Sequence, residues 1–191
     1  RAIAAQVAEQ TGQAVLVDNR TGANGIIAAE AAAKSPADGY TLFMPNDGIM
    51  AANPALHAKL PYDPVKDFAP ITQLVSLNQL LLAHADVAAS NLKELISLAK
   101  SQPNKLNYAS NGNGSSAHVA TVLYESMAGV DMAHIPYKGL APAMTDLMSG
   151  QVQLMFSSMV AIVPQINNGK FRALAVTSAK RSPLLPNVPT L

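Results

Sequence analysis

The 191-residue chain carries 13 basic and 12 acidic residues, for a formal net charge of +1, and 49% of its residues are hydrophobic. This hydrophobic content can bury a real core, while the balanced charge argues against nucleic acid as a partner. The absence of cysteine excludes disulfides, thiol catalysis and cysteine-ligated metals. No apolar run approaches the roughly 20 residues of a membrane-spanning helix.

The first third of the chain alternates helical and strand patterns. A helix that stops at Gly12 is followed by a strand over residues 14–17, an Ala-rich helix and a strand over residues 40–44. This alternation predicts a parallel sheet, and such sheets bind ligands at the carboxyl ends of their strands. Asn46 and Asp47, which follow the second strand, are therefore expected near any site.

Both ends of the sequence are abrupt. The first residues already lie inside a helical pattern without a preceding cap or strand, and the last residues stop directly after a proline-rich turn. We therefore expect a chain that is truncated at both its N- and its C-terminus.

A proline-rich segment, residues 53–70, predicts a short helix followed by an extended surface strap. Residues 71–83 then form a long apolar strand pattern. After this strand, helical and strand patterns alternate again. Helices are predicted over residues 92–100, 115–128, 141–149 and 160–168, and strands over residues 106–109, 132–135, 152–156 and 172–177.

The second half is thus a self-contained α/β unit that is entered by one long strand, residues 71–83, and left by another, residues 172–177. Two such crossings predict a two-lobed binding protein with a hinge. We place lobe one at residues 1–78, with residues 178–191 returning to it, and lobe two at residues 79–177.

A Ser/Asn/Gly-rich turn lies between the strand over residues 106–109 and the helix that follows. Gly112 and Gly114 allow positive φ and close approach of a ligand, and Ser115 or Ser116 is a candidate N-cap. A helix N-terminus of this kind suits a carboxylate or a phosphate, although many such turns bind nothing. Ala117 stands where a dinucleotide fingerprint needs glycine, and no P-loop motif is present.

Catalytic and metal-binding patterns are missing. Ser110, Ser115 and Ser116 do not lie in a Gly-x-Ser-x-Gly elbow, and the turn holds no acidic residue that could orient a base. The four histidines show no close metal-binding spacing. His118, one turn into the helix, is expected to be a packed or surface imidazole. We therefore expect neither an enzyme nor a metal or other cofactor.

Several stretches together resemble one known family, the substrate-binding proteins of tripartite tricarboxylate transporters, also called the Bug family for Bordetella uptake gene. They are Asp18-Asn19-Arg20-Thr21-Gly22-Ala23-Asn24-Gly25, Ala37-Asp38-Gly39-Tyr40-Thr41-Leu42, Leu60-Pro61-Tyr62-Asp63-Pro64-Val65-Lys66-Asp67-Phe68, Asn107-Tyr108-Ala109-Ser110-Asn111-Gly112-Asn113-Gly114-Ser115-Ser116-Ala117-His118, Pro136-Tyr137-Lys138-Gly139 and the segment Ala173 to Pro183. The resemblance runs in order along nearly the whole chain.

The resemblance implies a periplasmic receptor with an α/β, two-lobed periplasmic-binding-protein-like (Venus flytrap) fold, expected to be a monomer. Such a receptor captures a small carboxylate and delivers it to the membrane permease subunits of a transporter. In that family one of the two loops that hold the carboxylate is the turn described above. The resemblance therefore implies ligand-binding roles for Asn46, Asp47, Gly48, Ser110, Asn111, Gly112, Gly114, Ser115, Ser116, Tyr137 and Ser157.

The resemblance also bears on the ligand. Family members that bind amino acids resemble one another in having an Asp just after the strand over residues 152–156, where this chain has Ser157. A hydroxyl can donate to a ligand oxygen, but unlike a carboxylate it has no negative charge to form an ion pair with an ammonium. We therefore expect a dicarboxylate or an aromatic carboxylate. Two alternatives remain, the effector-sensing domain of a transcription regulator and an esterase-like hydrolase.

Overall fold

The computed structural model describes residues 1–191, except for the side chains of Pro164, Asn167 and Asn168. The chain divides into two compact units, which are described separately: the first unit is residues 1–69 and the second unit is residues 70–191. Within the described part of the chain, no helix has both the length and the apolar character needed to cross a bilayer.

The first unit is built from short helices. They are α1 (Ala2–Thr11), a 3₁₀ turn (Ala23–Gly25) that leads into α2 (Ile26–Ala33), and a π-helical turn (Gly48–Ala52) that leads into α3 (Asn53–Leu56). Gly12 ends α1 in the left-handed conformation, with φ 69°, and its amide donates to the Ala8 carbonyl. The predicted helices, including the short one in the proline-rich segment, are confirmed.

Two predicted strands of the first unit are wrong. Residues 14–17 and 40–44 form no strand in the described structure, and their apolar side chains other than Phe43 are exposed, with Leu16 at 93% and Tyr40 at 91%. The predicted strand over residues 71–83 is reduced to Gln79–His84 in the second unit. An apolar run gives a segment strand propensity, but a strand forms only where a neighbouring backbone accepts its hydrogen bonds.

The second unit contains one five-stranded sheet. Its strands are β1 (Gln79–His84), β2 (Asn107–Ser110), β3 (Ala133–Pro136), β4 (Leu154–Ser158) and β5 (Phe171–Val176), in the order β3-β2-β4-β1-β5. The sheet is covered by α4 (Leu92–Ser101), α5 (Ser116–Ala128), α6 (Leu140–Met148) and α7 (Met159–Ile162), the last of which continues as a 3₁₀ helix (Val163–Asn168). All four predicted strands and four predicted helices after residue 90 are confirmed to within a few residues.

The sheet is mixed, whereas the strand and helix alternation predicts a parallel one. β2 pairs in parallel with β3 and β4, but β1 is antiparallel to both β4 and β5. α4 joins β1 to β2, but these two strands are not neighbours in the sheet, so this connection does not make β1 parallel to the strand beside it. The carboxyl ends of β2, β3, β4 and β5 consequently share one edge, where β1 begins.

Each face of this sheet carries its own apolar core, because side chains alternate along every strand. Leu81, Tyr108 and Phe156 belong to the cluster that includes residues of α4 and α5, while Leu80 and Met155 belong to the cluster that includes residues of α6 and α7. The α/β class is confirmed.

The C-terminal segment runs alongside the end of β5. The Val176 amide donates to the Pro189 carbonyl at 2.8 Å, and the Leu191 amide donates to the Val176 carbonyl at 2.9 Å. The predicted lobe boundary at residue 78 and the assignment of residues 178–191 to lobe one stay predictions.

Candidate functional site

The candidate site is built around the β2–α5 loop, which we define as residues 111–115. Gly112, at φ 120°, and Gly114, at φ 74°, adopt backbone conformations that disfavour other residues. The Ser115 hydroxyl caps α5 by accepting from the His118 amide at 3.4 Å, so Ser115 rather than Ser116 is the N-cap.

The β2–α5 loop is held by its own hydrogen bonds. The Gly112 amide donates to Ser110 Oγ at 3.1 Å, and the Ser115 amide donates to the Gly112 carbonyl at 3.2 Å. The Gly114 amide donates to Nδ1 of His118 at 3.0 Å. Three backbone donors of this turn are therefore engaged within the protein in this structure, while Asn111 and Asn113 at its tip are exposed.

A stack of three rings lies directly behind the loop. The His118 and His134 rings are parallel within 6°, with centroids 4.2 Å apart, and Tyr108 stacks on His134 at 4.8 Å. Burial lowers the pKa of His118, and burial together with the His118 charge lowers the pKa of His134 to about 4. Both imidazoles are therefore neutral near pH 7.

The sequence analysis missed the role of this stack. It treated His118 as a packed or surface imidazole and gave His134 no function. Two signals could have revealed it: Tyr108 and Ser110 share one face of β2 by alternation, and His118 occupies the third helical position, where a side chain reaches back to the residues before the cap.

Ser110 joins the loop to the ring stack. Its hydroxyl lies 2.6 Å from Nε2 of His134 and also donates to the Gly112 carbonyl at 3.1 Å. Ser110 is 0% exposed, and the contacts of its hydroxyl join the end of β2 to the loop and to the ring stack.

Tyr137 lies beside this loop. Its amide donates to the Ser110 carbonyl at 2.9 Å, which ties the end of β3 to the end of β2. Its hydroxyl donates to Oδ2 of Asp146 at 2.6 Å, and burial together with that carboxylate raises the pKa of Tyr137 to about 12. The phenol is therefore anchored to α6, while the neighbouring Lys138 is exposed.

Ser157 stands at the end of β4, on the same edge of the sheet as the loop. It pairs with Leu80 of β1 and is 4% exposed, and its Oγ has no hydrogen-bond partner among the described residues. By alternation it shares the face of Met155, whereas Ser110 lies on the opposite face. A buried hydroxyl without a partner is costly, so this one is suited to a ligand oxygen.

The remaining predicted site residues belong to the first unit. Asn46 Oδ1 accepts from the Ile49 amide at 3.1 Å, which is the geometry of a helix cap. Asp47 is exposed and Gly48 is buried at the start of the π-helical turn.

The first unit also holds a buried polar contact that the sequence analysis missed. The Asn24 side chain donates to Oδ1 of Asn53 at 3.0 Å, and Asn53 donates to the Tyr62 hydroxyl at 3.3 Å. Asn53 is fully buried, so these bonds stabilise the turn that precedes α3.

No group of three or more His, Asp or Glu side chains suited to a metal occurs in the part of the chain that the structure describes. At the carboxyl edge of its sheet the second unit offers the start of α5, the exposed amide side chains of Asn111 and Asn113, and the Ser157 hydroxyl. Such donors favour an anionic oxygen ligand.

Three solved structures are similar to the chain. The Rhodopseudomonas palustris protein Rpa4515, solved with adipate, has 39% identity and a TM-score of 0.90 over 100% of this chain and 64% of its own. The periplasmic binding protein BugD has 36% identity and a TM-score of 0.84 over 98% of this chain and 62% of its own. MatC from the same Rhodopseudomonas species, with bound malate, has 36% identity and a TM-score of 0.85 over 98% of this chain and 64% of its own.

These similarities confirm the predicted periplasmic-binding-protein-like fold. The chain spans less than two thirds of these structures, and 56% and 59% of the length of two curated relatives. The model of one family, described as the tripartite tricarboxylate transporter family receptor, matches residues 1–191. The chain belongs to this receptor family.

Proposed function

We propose that the protein is an extracytoplasmic solute receptor that binds a small carboxylate in the periplasm and delivers it to the membrane permease subunits of a tripartite tricarboxylate-type transporter. Family membership over the whole chain supports the receptor role. The adipate and malate bound to two similar proteins support the carboxylate class. The periplasmic location is supported by the similarity to BugD.

The observation that carries the proposal is the chemistry at the carboxyl edge of the sheet. There the β2–α5 loop presents a helix N-terminus, and β4 presents the buried Ser157 hydroxyl, for which the described residues provide no hydrogen-bond partner. Both features favour carboxylate oxygens. The proposed ligand-binding residues are Asn46, Asp47, Gly48, Ser110, Asn111, Gly112, Gly114, Ser115, Ser116, Tyr137 and Ser157.

The contacts of these residues suggest different roles. Ser110 is buried and engaged with Gly112 and His134, so it acts by shaping the loop. The backbone of Tyr137 has the same function, because its amide fixes the Ser110 carbonyl. Asn111, at the exposed tip, and Ser157 are the second-unit side chains proposed to contact the ligand directly.

The ligand class follows from Ser157. A hydroxyl can donate to a carboxylate or carbonyl oxygen, but it leaves a buried ammonium uncompensated, and removing one partner of a buried ion pair costs roughly 3 to 5 kcal/mol. We propose a ligand without an amino group, either a dicarboxylate or an aromatic carboxylate.

The hydrolase alternative draws on one observation, the 2.6 Å contact between Ser110 and His134. The full burial of Ser110 argues against it, and so does the sharing of its hydroxyl with the Gly112 carbonyl. A hydrolase would cleave nitrophenyl esters and lose that activity in Ser110→Ala.

A thermal-shift screen tests the proposal. The panel is adipate, malate, succinate, benzoate, aspartate and glutamate, and proton NMR checks each compound for turnover. A ligand at about 100 times its Kd stabilises the folded state by about 2.7 kcal/mol. We expect at least one acid without an amino group to raise the Tm and to remain unchanged.

The control is Asn91→Ala, which removes the N-cap of α4, far along the chain from the β2–α5 loop. In the native chain Asn91 Oδ1 accepts from the Glu94 amide at 3.0 Å. It should lower the Tm without changing the ligand-induced shift. Turnover of any compound would favour the hydrolase alternative. Stronger binding of aspartate or glutamate than of the other acids would refute the ligand class.

A further inference from the structure

His118 takes part in a reciprocal arrangement at the start of α5. The Ser115 hydroxyl accepts from the His118 amide, and the His118 ring accepts the Gly114 amide at 3.0 Å. In an ordinary capping box a Glu or Gln at the third helical position accepts a backbone amide near the cap. Here the acceptor is an imidazole nitrogen, which loses its lone pair when it is protonated.

The hydrogen-bond pattern assigns the tautomer of His118. Its Nδ1 accepts the Gly114 amide, so its proton lies on Nε2. Nε2 of His134 faces a hydroxyl, Ser110 Oγ, which can either accept from it or donate to it. Protonating His134 therefore leaves a bond to Ser110 in place, whereas protonating His118 replaces an acceptor by a second donor facing Gly114.

The surroundings of the two rings oppose a positive charge. His134 lies 4.2 Å from His118, and the Tyr108 ring covers His134 from β2. Glu125, also on α5, accepts the Met132 amide at 2.7 Å, and burial together with its carboxylate raises the pKa of Tyr108. Burial together with the Asp131 carboxylate raises the pKa of Glu125. Burial dominates for both histidines and lowers their pKa values.

We propose that His118 is a positioning residue whose neutral ring holds the β2–α5 loop in its binding shape, so that its protonation releases Gly114 and weakens carboxylate binding. This inference rests on the proposed function, because the loop is the proposed anion site. It adds a pH-dependent control of that site through a residue that does not itself contact the ligand.

The first test needs no ligand. Nitrogen-15 NMR of the native chain should show the Nε2–H tautomer of His118 near pH 7.5. Between that pH and about pH 5, the Gly114 amide should shift and exchange faster, with the same midpoint as the His118 ring. A Gly114 amide that does not follow the ring titration, or an Nδ1–H tautomer, would overturn the proposal.

The second test uses His118→Asn, because the Asn oxygen can replace Nδ1 as an acceptor but does not titrate. His118→Leu removes the acceptor altogether. Calorimetry measures the affinity for adipate and for malate. Between pH 7.5 and about pH 5, the affinity of the native chain should fall by about threefold or more relative to the affinity of His118→Asn. Protonation of the ligand affects both proteins equally and cancels in this comparison.

His118→Leu should bind weakly at both pH values. Equal losses in the native chain and His118→Asn, or tighter binding by the native chain at the lower pH, would overturn the proposal. If neither acid binds to any protein, the proposed carboxylate function fails for these ligands. The NMR titration still decides independently whether His118 controls the loop.

Discussion

Ser157 is the residue at which stability and binding are expected to conflict. Its hydroxyl is buried at the end of β4 without a hydrogen-bond partner among the described residues, so the folded protein bears its desolvation cost. Ser157→Ala removes that cost together with a donor for the ligand. We expect an unchanged or higher Tm, and affinity for the best carboxylate of the panel about 5- to 10-fold lower, equivalent to about 1 kcal/mol.

The control for this prediction is Ser97→Ala, which removes an exposed hydroxyl that donates to the Lys93 carbonyl within α4. It should leave affinity unchanged. Should Ser157→Ala bind the carboxylate as tightly as the native chain, the hydroxyl does not contact the ligand.

Replacing Gly112 tests whether the backbone shape of the β2–α5 loop is needed for carboxylate binding. An added Cβ would lie 3.6 Å from the Tyr137 carbonyl oxygen, an ordinary contact, so the cost of Gly112→Ala comes from its φ of 120°. A strained backbone conformation of this kind costs about 1 to 3 kcal/mol. We expect a lower Tm and weaker carboxylate binding, because the loop must change shape to relieve the strain.

Gly129→Ala is the matched control, since Gly129 has φ 63° and ends the same helix at the opposite terminus. It should lower the Tm while leaving the Kd measured by calorimetry unchanged. Equal Kd values for the two variants would mean that the shape of the β2–α5 loop does not matter for binding.

At the scale of elements, α5 packs on the sheet through the ring of Tyr124. Tyr124 makes an edge contact with Phe156 at 6.3 Å between ring centroids, and its OH has no hydrogen-bond partner among the described residues. Burial raises its pKa to about 12. Tyr124→Phe keeps the ring contact and removes the unsatisfied group, so we expect an unchanged or higher Tm in thermal unfolding.

Thr121→Val provides the comparison on the same helix, because the Thr121 hydroxyl does have a partner, the Ala117 carbonyl at 2.8 Å. Thr121→Val should therefore have a lower Tm than Tyr124→Phe. A Tyr124→Phe variant that unfolds at a clearly lower temperature would indicate a hidden partner for that hydroxyl.

At the scale of the whole molecule, the half-buried histidines of the ring stack make stability depend on pH. The pKa of His134 is about 4 in the folded protein against an ordinary value of 6.5. Below about pH 6.5 the unfolded chain therefore binds a proton that the folded protein does not, and the free energy of unfolding falls as the pH drops toward about 4. Urea unfolding at several pH values measures this fall.

His134→Gln should reduce the fall, because a Gln amide can still donate to Ser110 but does not titrate. Carboxylate groups titrate in both proteins and cancel in the difference. Identical pH dependence of the two proteins would show that His134 does not bear the proposed burial cost.

The sequence by itself determined the secondary structure of most of the second unit. Its helices and strands are marked by local signals, such as the Asn91 and Ser115 caps and the Gly129 stop, which act through hydrogen bonds within a few residues. The position of the candidate loop followed from the same signals, and the family resemblance added Ser157 to the predicted site.

Only the tertiary structure decided the features that depend on residues distant along the chain. The apolar runs over residues 14–17 and 40–44 do not form strands, because strand formation needs a partner backbone that local propensity cannot supply. The antiparallel direction of β1 is likewise set by its neighbours β4 and β5. His118 and His134 stack because α5 and β3 both pack against β2, and the burial of Ser157 depends on β4 pairing with β1.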